Sequence, residues 1–119
     1  MRIIKFRAWE KENLFVNFEG AMHYDVVAQT YFGEWLFDND YELMQYTGLK
    51  DKDGFEIYEG DIIKRLSYTK PFIVEFILGS FVLTGDTDTL DFIQTKKVEV
   101  IGNIYENKEL LKWQHYQLH

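Results

Sequence analysis

Apolar and polar residues alternate in short runs along most of this chain, and the dominant period is two. From Ile3 to Trp9, Ile4, Phe6 and Ala8 fall on one face and Lys5 and Arg7 on the other, which predicts a half-buried strand. Glu10–Asn13 reads as a polar turn, after which Leu14, Val16 and Phe18 share a side, so the spacing predicts an N-terminal hairpin. Gly20 to Thr30 is ambiguous: Met22 and Val26 suit a short helix, whereas Val26, Val27 and Thr30 suit a strand. Tyr31, Trp35 and Phe37 share one face opposite Phe32 and Leu36. The Asp38-Asn39-Asp40 cluster then predicts a second hairpin around Asn39.

The stretch LMQYTGLKDKDGFEIYEGDIIK, Leu43 to Lys64, organises the middle of the chain. It starts as a strand, breaks at Lys50–Gly54, resumes at Phe55–Tyr58, turns at Glu59-Gly60-Asp61 and enters a third apolar run at Ile62. Asp53-Gly54 is a strong hairpin signal, since Gly reaches positive φ without steric cost. Ser67–Pro71 reads as a loop. Beyond it Phe72, Val74, Phe76 and Leu78 line one face, with Ile73 and Ile77 flanking Glu75 on the other. That strand is expected to be buried on both faces or covered by another subunit. Gly79-Ser80 is a candidate two-residue turn, with Phe81–Leu83 as the return strand. Gly85–Asp91 is an acidic, threonine-rich loop. Lys97–Tyr105 predicts a last strand with Val98, Val100 and Ile104 on one face, and Gly102 marks a bulge or a close backbone approach. Asn107 is placed to cap a short helix from Lys108, with Glu109 in its first turn and Leu110, Leu111 and Trp113 as apolar contacts. The pattern predicts a mainly β fold of short antiparallel strands with a short C-terminal helix.

Composition sharpens this reading. A length of 119 residues predicts a single domain over 1–119. Aromatics make up 18%, an excess that favours half-buried pleated surfaces and self-association. There is no cysteine, so disulfides, thiolate zinc sites and cysteine nucleophiles are excluded. The charged N-terminus and the lack of an apolar run near the roughly 20 residues of a membrane span predict a cytoplasmic chain without membrane contact. A net charge of −7 counts against binding nucleic-acid backbone.

Each residue set that suggests chemistry also has a plainer role. The carboxylates Asp51, Asp53, Glu56, Glu59 and Asp61 suggest a metal or general-acid cluster, but glycine falls at position 4 of a loop begun at Asp51, not at the position 6 that a calcium loop needs. Turn chemistry and solvation account for them better. Asp86, Asp88 and Asp91 have no fixed ligand geometry to hold a cation. His115 and His119 are four apart at the C-terminus, and no Glu adjoins His115 as a zinc-protease motif requires. His23 is the remaining histidine. With Ser67 and Ser80 as the only serines, no nucleophile-and-base set assembles, and Gly48, Gly54 and Gly60 are too far apart to cradle phosphate. No cofactor is called for. Lys5, Arg7, Lys64 and Arg65 form a candidate basic stripe for nucleic acid beside Trp9 and Tyr68, against the plain reading that they offset an acidic surface.

Three passages, IKFRAWEKEN before Leu14, Leu43–Lys64, and VEVIGNIYENKELL from Val98 to Leu111, resemble the YopX-like family of phage and prophage proteins. Lys108 stands where the family's YENPEL segment has proline, so the helix start lacks a preset φ. The resemblance implies a complex barrel-and-sheet fold and assembly into ring-like homo-oligomers, pentamers or decamers. It carries over no catalytic residue. The leading expectation is therefore a non-enzymatic, phage-encoded protein of the bacterial cytoplasm that self-assembles and meets an unnamed host or phage protein. Trp35, Tyr46, Tyr58, Phe72 and Phe76 are its candidate assembly residues. The rivals are a small-barrel nucleic-acid module, an acidic DNA mimic, and a metal-dependent hydrolase using loop carboxylates.

Overall fold

The computed structural model describes residues 4–25, 40–84 and 95–111. The second hairpin around Asn39, the strand at 31–37, the loop of 85–91 and the histidines at 115 and 119 lie outside them. The chain divides into two compact units, Met1–Tyr46 and Thr47–His119.

In the first unit, strand β1 (Phe6–Glu10) lies between β2 (Ala21–Asp25) and the first half of β3 (Tyr41–Lys50), antiparallel to both. Ala8, for example, stands opposite His23 on one side and Leu43 on the other. A strand flanked on both sides has no free edge. Arg7, read as solvent-facing, is 3% exposed, and Ala8 is wholly buried. The expected strand at Leu14–Phe18 does not form. Leu14–Val16 is a 3-10 turn, entered through the Asn13 side chain, which accepts from Phe15 N at 3.0 Å, and left through Asn17 at φ 55°. A single bridge between Asn13 and Phe18 closes the loop. The ambiguous segment after Gly20 resolves, as far as it is described, into β2.

The second unit takes the second half of β3, with β4 (Glu56–Tyr58) hydrogen-bonded beside it across the predicted hairpin. A separate sheet contains β5 (Asp61–Arg65), β6 (Phe72–Ile77), β7 (Ser80–Leu83) and β8 (Val98–Asn103), in the order β7-β6-β5-β8. Strands β5 to β7 form a meander and β8 returns beside β5, the Greek-key order. Ile57, Ile63, Phe72, Val74, Phe81, Leu83 and Val98 are buried together as the core, with Leu49 and Val100 packed against them. These are the alternating positions of five strands turned inward, as a period of two requires.

Two expectations about this sheet need correction. The β6–β7 turn is Leu78-Gly79, one residue earlier than the Gly79-Ser80 reading, since Ile77 pairs with Ser80. Nor is β6 buried throughout: Phe72 and Val74 are in the core, but Phe76 and Ile77 are each 47% exposed and Leu78 wholly so. The bulge expected at Gly102 is present. Ile62 faces Gly102 and Ile63 faces Val100, which leaves Ile101 as the extra residue. The C-terminal helix is a 3-10 turn, Lys108–Leu111.

Candidate functional site

Two carboxylates of the central stretch, those of Asp51 and Asp61, are engaged by backbone. Asp51 is 6% exposed. Its Oδ1 accepts from Asp53 N and Phe55 N, each at 2.9 Å, and its Oδ2 accepts from Val100 N at 2.9 Å. One side chain thus closes the β3–β4 turn and ties it to β8, reinforced by Lys52 N donating to Val98 O at 3.0 Å. Asp61, 2% exposed, accepts from Tyr58 N at 2.7 Å and closes the next turn. Gly60 inside that turn donates to Val74 O and accepts from Ile104 N. Thr47, also buried, donates its hydroxyl to Ile57 O at 2.7 Å and accepts from Leu49 N at 3.1 Å. The turn reading of Asp51, Asp53 and Asp61 therefore describes what their side chains or amides do. Asp53 also pairs with exposed Lys52 at 3.1 Å, raising that ammonium's pKa above its ordinary value.

The asparagines near the C-terminal turn are wired the same way. Asn103 Oδ1 accepts from Tyr105 N and Glu106 N, and its Nδ2 donates to Glu106 Oε1. Asn107, expected as a helix cap, instead turns its side-chain oxygen back to accept from Asn103 N at 3.0 Å, while its carbonyl accepts from Leu110 N. The glycine before Asn103 makes room for it: a Cβ on Gly102 would stand 2.6 Å from the Asn107 side chain.

What remains available for contact lies elsewhere. The Leu14–Val16 turn exposes Leu14 at 80%, Phe15 fully and Val16 at 70%. It borders an open groove of about 710 Å³ lined by residues 10–18 and Asp40. There Lys11 pairs with Glu42 at 3.1 Å, and Glu10 Oε1 lies 2.9 Å from His23 Nε2. The β6–β7 tip presents Phe76, Ile77 and Leu78, with the Phe76 ring tilted against Phe81 at 4.9 Å. The third surface is cationic: Arg65 stacks over Tyr68 at 4.2 Å and Phe72 at 5.3 Å, near Lys70.

Against these positions the candidate residues sort clearly. Tyr46, Tyr58 and Phe72 are at most 5% exposed, so they serve the interior and not an outer contact. Phe76 is on the surface, and Trp35 lies outside the described residues. Of the basic stripe, Arg7 is buried and Lys5 sits over the Tyr46 ring at 5.0 Å, in the first unit. Lys64 and Arg65 are in the second unit, adjacent on β5 and so directed to opposite faces. The stripe is not one surface. Reading by alternation missed Leu78, Ile77, Lys70, Lys96 and Lys97. Counting β6 as six residues would have placed Leu78 in the turn.

The arrangement defines a class: a mainly β protein of antiparallel sheets whose central motif residues hold turns together. The chain belongs to the YopX protein family, whose sequence model matches residues 5–112. It is similar to protein EF1440 from Enterococcus faecalis, known from a crystal structure, at 26% identity and a TM-score of 0.59, covering 94% of this chain and 100% of that one. It is also similar in fold to protein yopX from Bacillus subtilis, at 20% identity and a TM-score of 0.58, again covering 94% and 100%. Among curated proteins, none matches this chain in sequence. Among the described residues, no helix is long and apolar enough to cross a membrane.

Proposed function

We propose that this is a phage- or prophage-encoded protein that assembles with copies of itself and acts through protein contacts in the bacterial cytoplasm, without turnover chemistry. The observation that carries this reading is the β6–β7 tip. Leu78 is fully exposed at φ 51°, followed by Gly79 at φ 82°. A left-handed conformation costs a leucine about 1 kcal/mol, and Asn-Gly makes the same two-residue turn at less cost. An apolar side chain held in water against its own backbone preference suits a contact surface. Phe76 and Ile77 beside it extend the patch. The family resemblance, which implies homo-oligomeric rings, supports the same reading, and the engagement of Asp51 and Asp61 by backbone amides supports a structural role for the motif.

Sedimentation velocity at about tens of micromolar, a range in which specific interfaces are populated, tests it. The wild-type chain is expected to sediment above monomer mass, and Leu78→Asn to shift it to monomer. A strictly monomeric wild type overturns the reading, as does an assembly indifferent to Leu78→Asn and to Phe76→Ser.

A further inference from the structure

We propose that the end of the second sheet around Tyr68 is a binding site for single-stranded nucleic acid. Three segments bring cations to this end. Arg65 closes β5 opposite Val98, and the next residue, Leu66, donates its amide to Lys97 O at 2.9 Å, so Lys96 and Lys97 lie alongside. On the other side Ile63 pairs with Phe72, whose ring lies 5.3 Å from the Arg65 guanidinium and 5.8 Å from Lys70 Nζ. Neighbouring strands are about 4.8 Å apart, so the four cations are drawn from a band only about 10 Å wide.

The β5–β6 side of this end is basic, against the charge of the whole chain. Residues 62–74 contain three cations and no carboxylate, in a chain of net charge −7. Lys96 and Lys97 are exposed, and among the described residues neither makes an ion pair. Glu99 stands across from Lys64, and Asp53 is paired with Lys52, so those two cations are compensated and are left out of the site.

The aromatic component decides which polyanion fits. Tyr68 is 45% exposed, held by the Arg65 guanidinium at 4.2 Å and set edge-on against Phe72 at 5.4 Å. Lys70 Nζ lies 5.8 Å from the Phe72 ring. A planar guanidinium stacked on a half-exposed ring is a platform for unpaired bases, and the lysines around it meet phosphates. An acidic peptide would use the charges and leave the ring idle. A duplex would keep its bases stacked within itself.

Fluorescence anisotropy with a labelled oligothymidine of about twenty nucleotides tests the site on the whole chain. Three phosphate contacts, from Lys70, Lys96 and Lys97, predict a logarithmic salt slope of about −2, so affinity falls roughly twenty-fold between 50 and 200 mM salt. K96A/K97A is expected to cut that slope to about a third. Tyr68→Ala is expected to weaken binding about tenfold with the slope unchanged, as loss of one stacked base does. Tyr68→Leu, which keeps apolar bulk over Phe72, should match it, and thermal melts confirm that each variant folds. No binding at 50 mM salt overturns the proposal. So does equal affinity for duplex DNA, or competition by polyglutamate as strong as by oligothymidine together with an inert Tyr68→Ala.

Discussion

Asp51 is the residue whose loss should cost the most for its size. Its two oxygens accept from three backbone amides, and Val100 lies 49 positions along the chain from it. Asp51→Ala strands those amides in a buried place and is expected to lower unfolding free energy by about 3 kcal/mol, measured by urea titration. Asp51→Asn keeps one good acceptor and should lose about 1 kcal/mol. Gly102→Ala tests a different physical limit, because its Cβ would fall 2.6 Å from Asn107. Either the bulge shifts or Asn107 gives up its bond to Asn103, and a loss of about 2 kcal/mol is expected in the same titration. At this scale the sequence was readable where chemistry is local. Aspartates beside Gly54 announced a turn, but nothing in their spacing could announce Val100. Asn107 shows the converse: a cap residue by position, it uses its side chain backward because the bulge at Ile101 brings Asn103 N within reach.

Among the elements, those bounded by strong turn signals were legible, and those without them were not. The succession of β3, β4 and β5 follows from Asp53-Gly54 and Gly60, which interrupt the alternation where the strands end. Leu14–Phe18 alternates as cleanly as any strand, yet Asn13 opens a tighter turn by accepting from Phe15 N and Asn17 leaves it at φ 55°. Five residues of period two cannot outweigh turn chemistry at both ends. The β6–β7 hairpin is legible in the sequence, but the pattern puts its turn one residue late, because a leucine is a poor candidate for positive φ. That same misfit predicts a measurable gain. Replacing Leu78 by Asn should stabilise the monomer by about 0.5–1 kcal/mol, seen as a higher melting temperature at protein concentrations too low for assembly. The candidate contact surfaces were less legible than the strands. Lys70, Lys96 and Lys97 come together only through the pairing of β5 with β6 and β8, a relation the order of residues does not display.

For the whole molecule, charge and topology carry the predictions. A chain with an isoelectric point near 4.9 loses its net repulsion as pH falls toward that value, so turbidity at fixed concentration should peak near pH 5. Stopped-flow refolding should be slow, on the order of milliseconds to seconds, because β8 must find β5 across more than thirty intervening residues. The shared acceptor at Asp51 has a further consequence. The amides of residues 53, 55 and 100 are guarded by one carboxylate, so any fluctuation that withdraws it exposes all three to solvent together. In deuterium-labelling measurements, peptides from the hairpin and from the strand far downstream should then take up label in step, like distant lamps on a single switch.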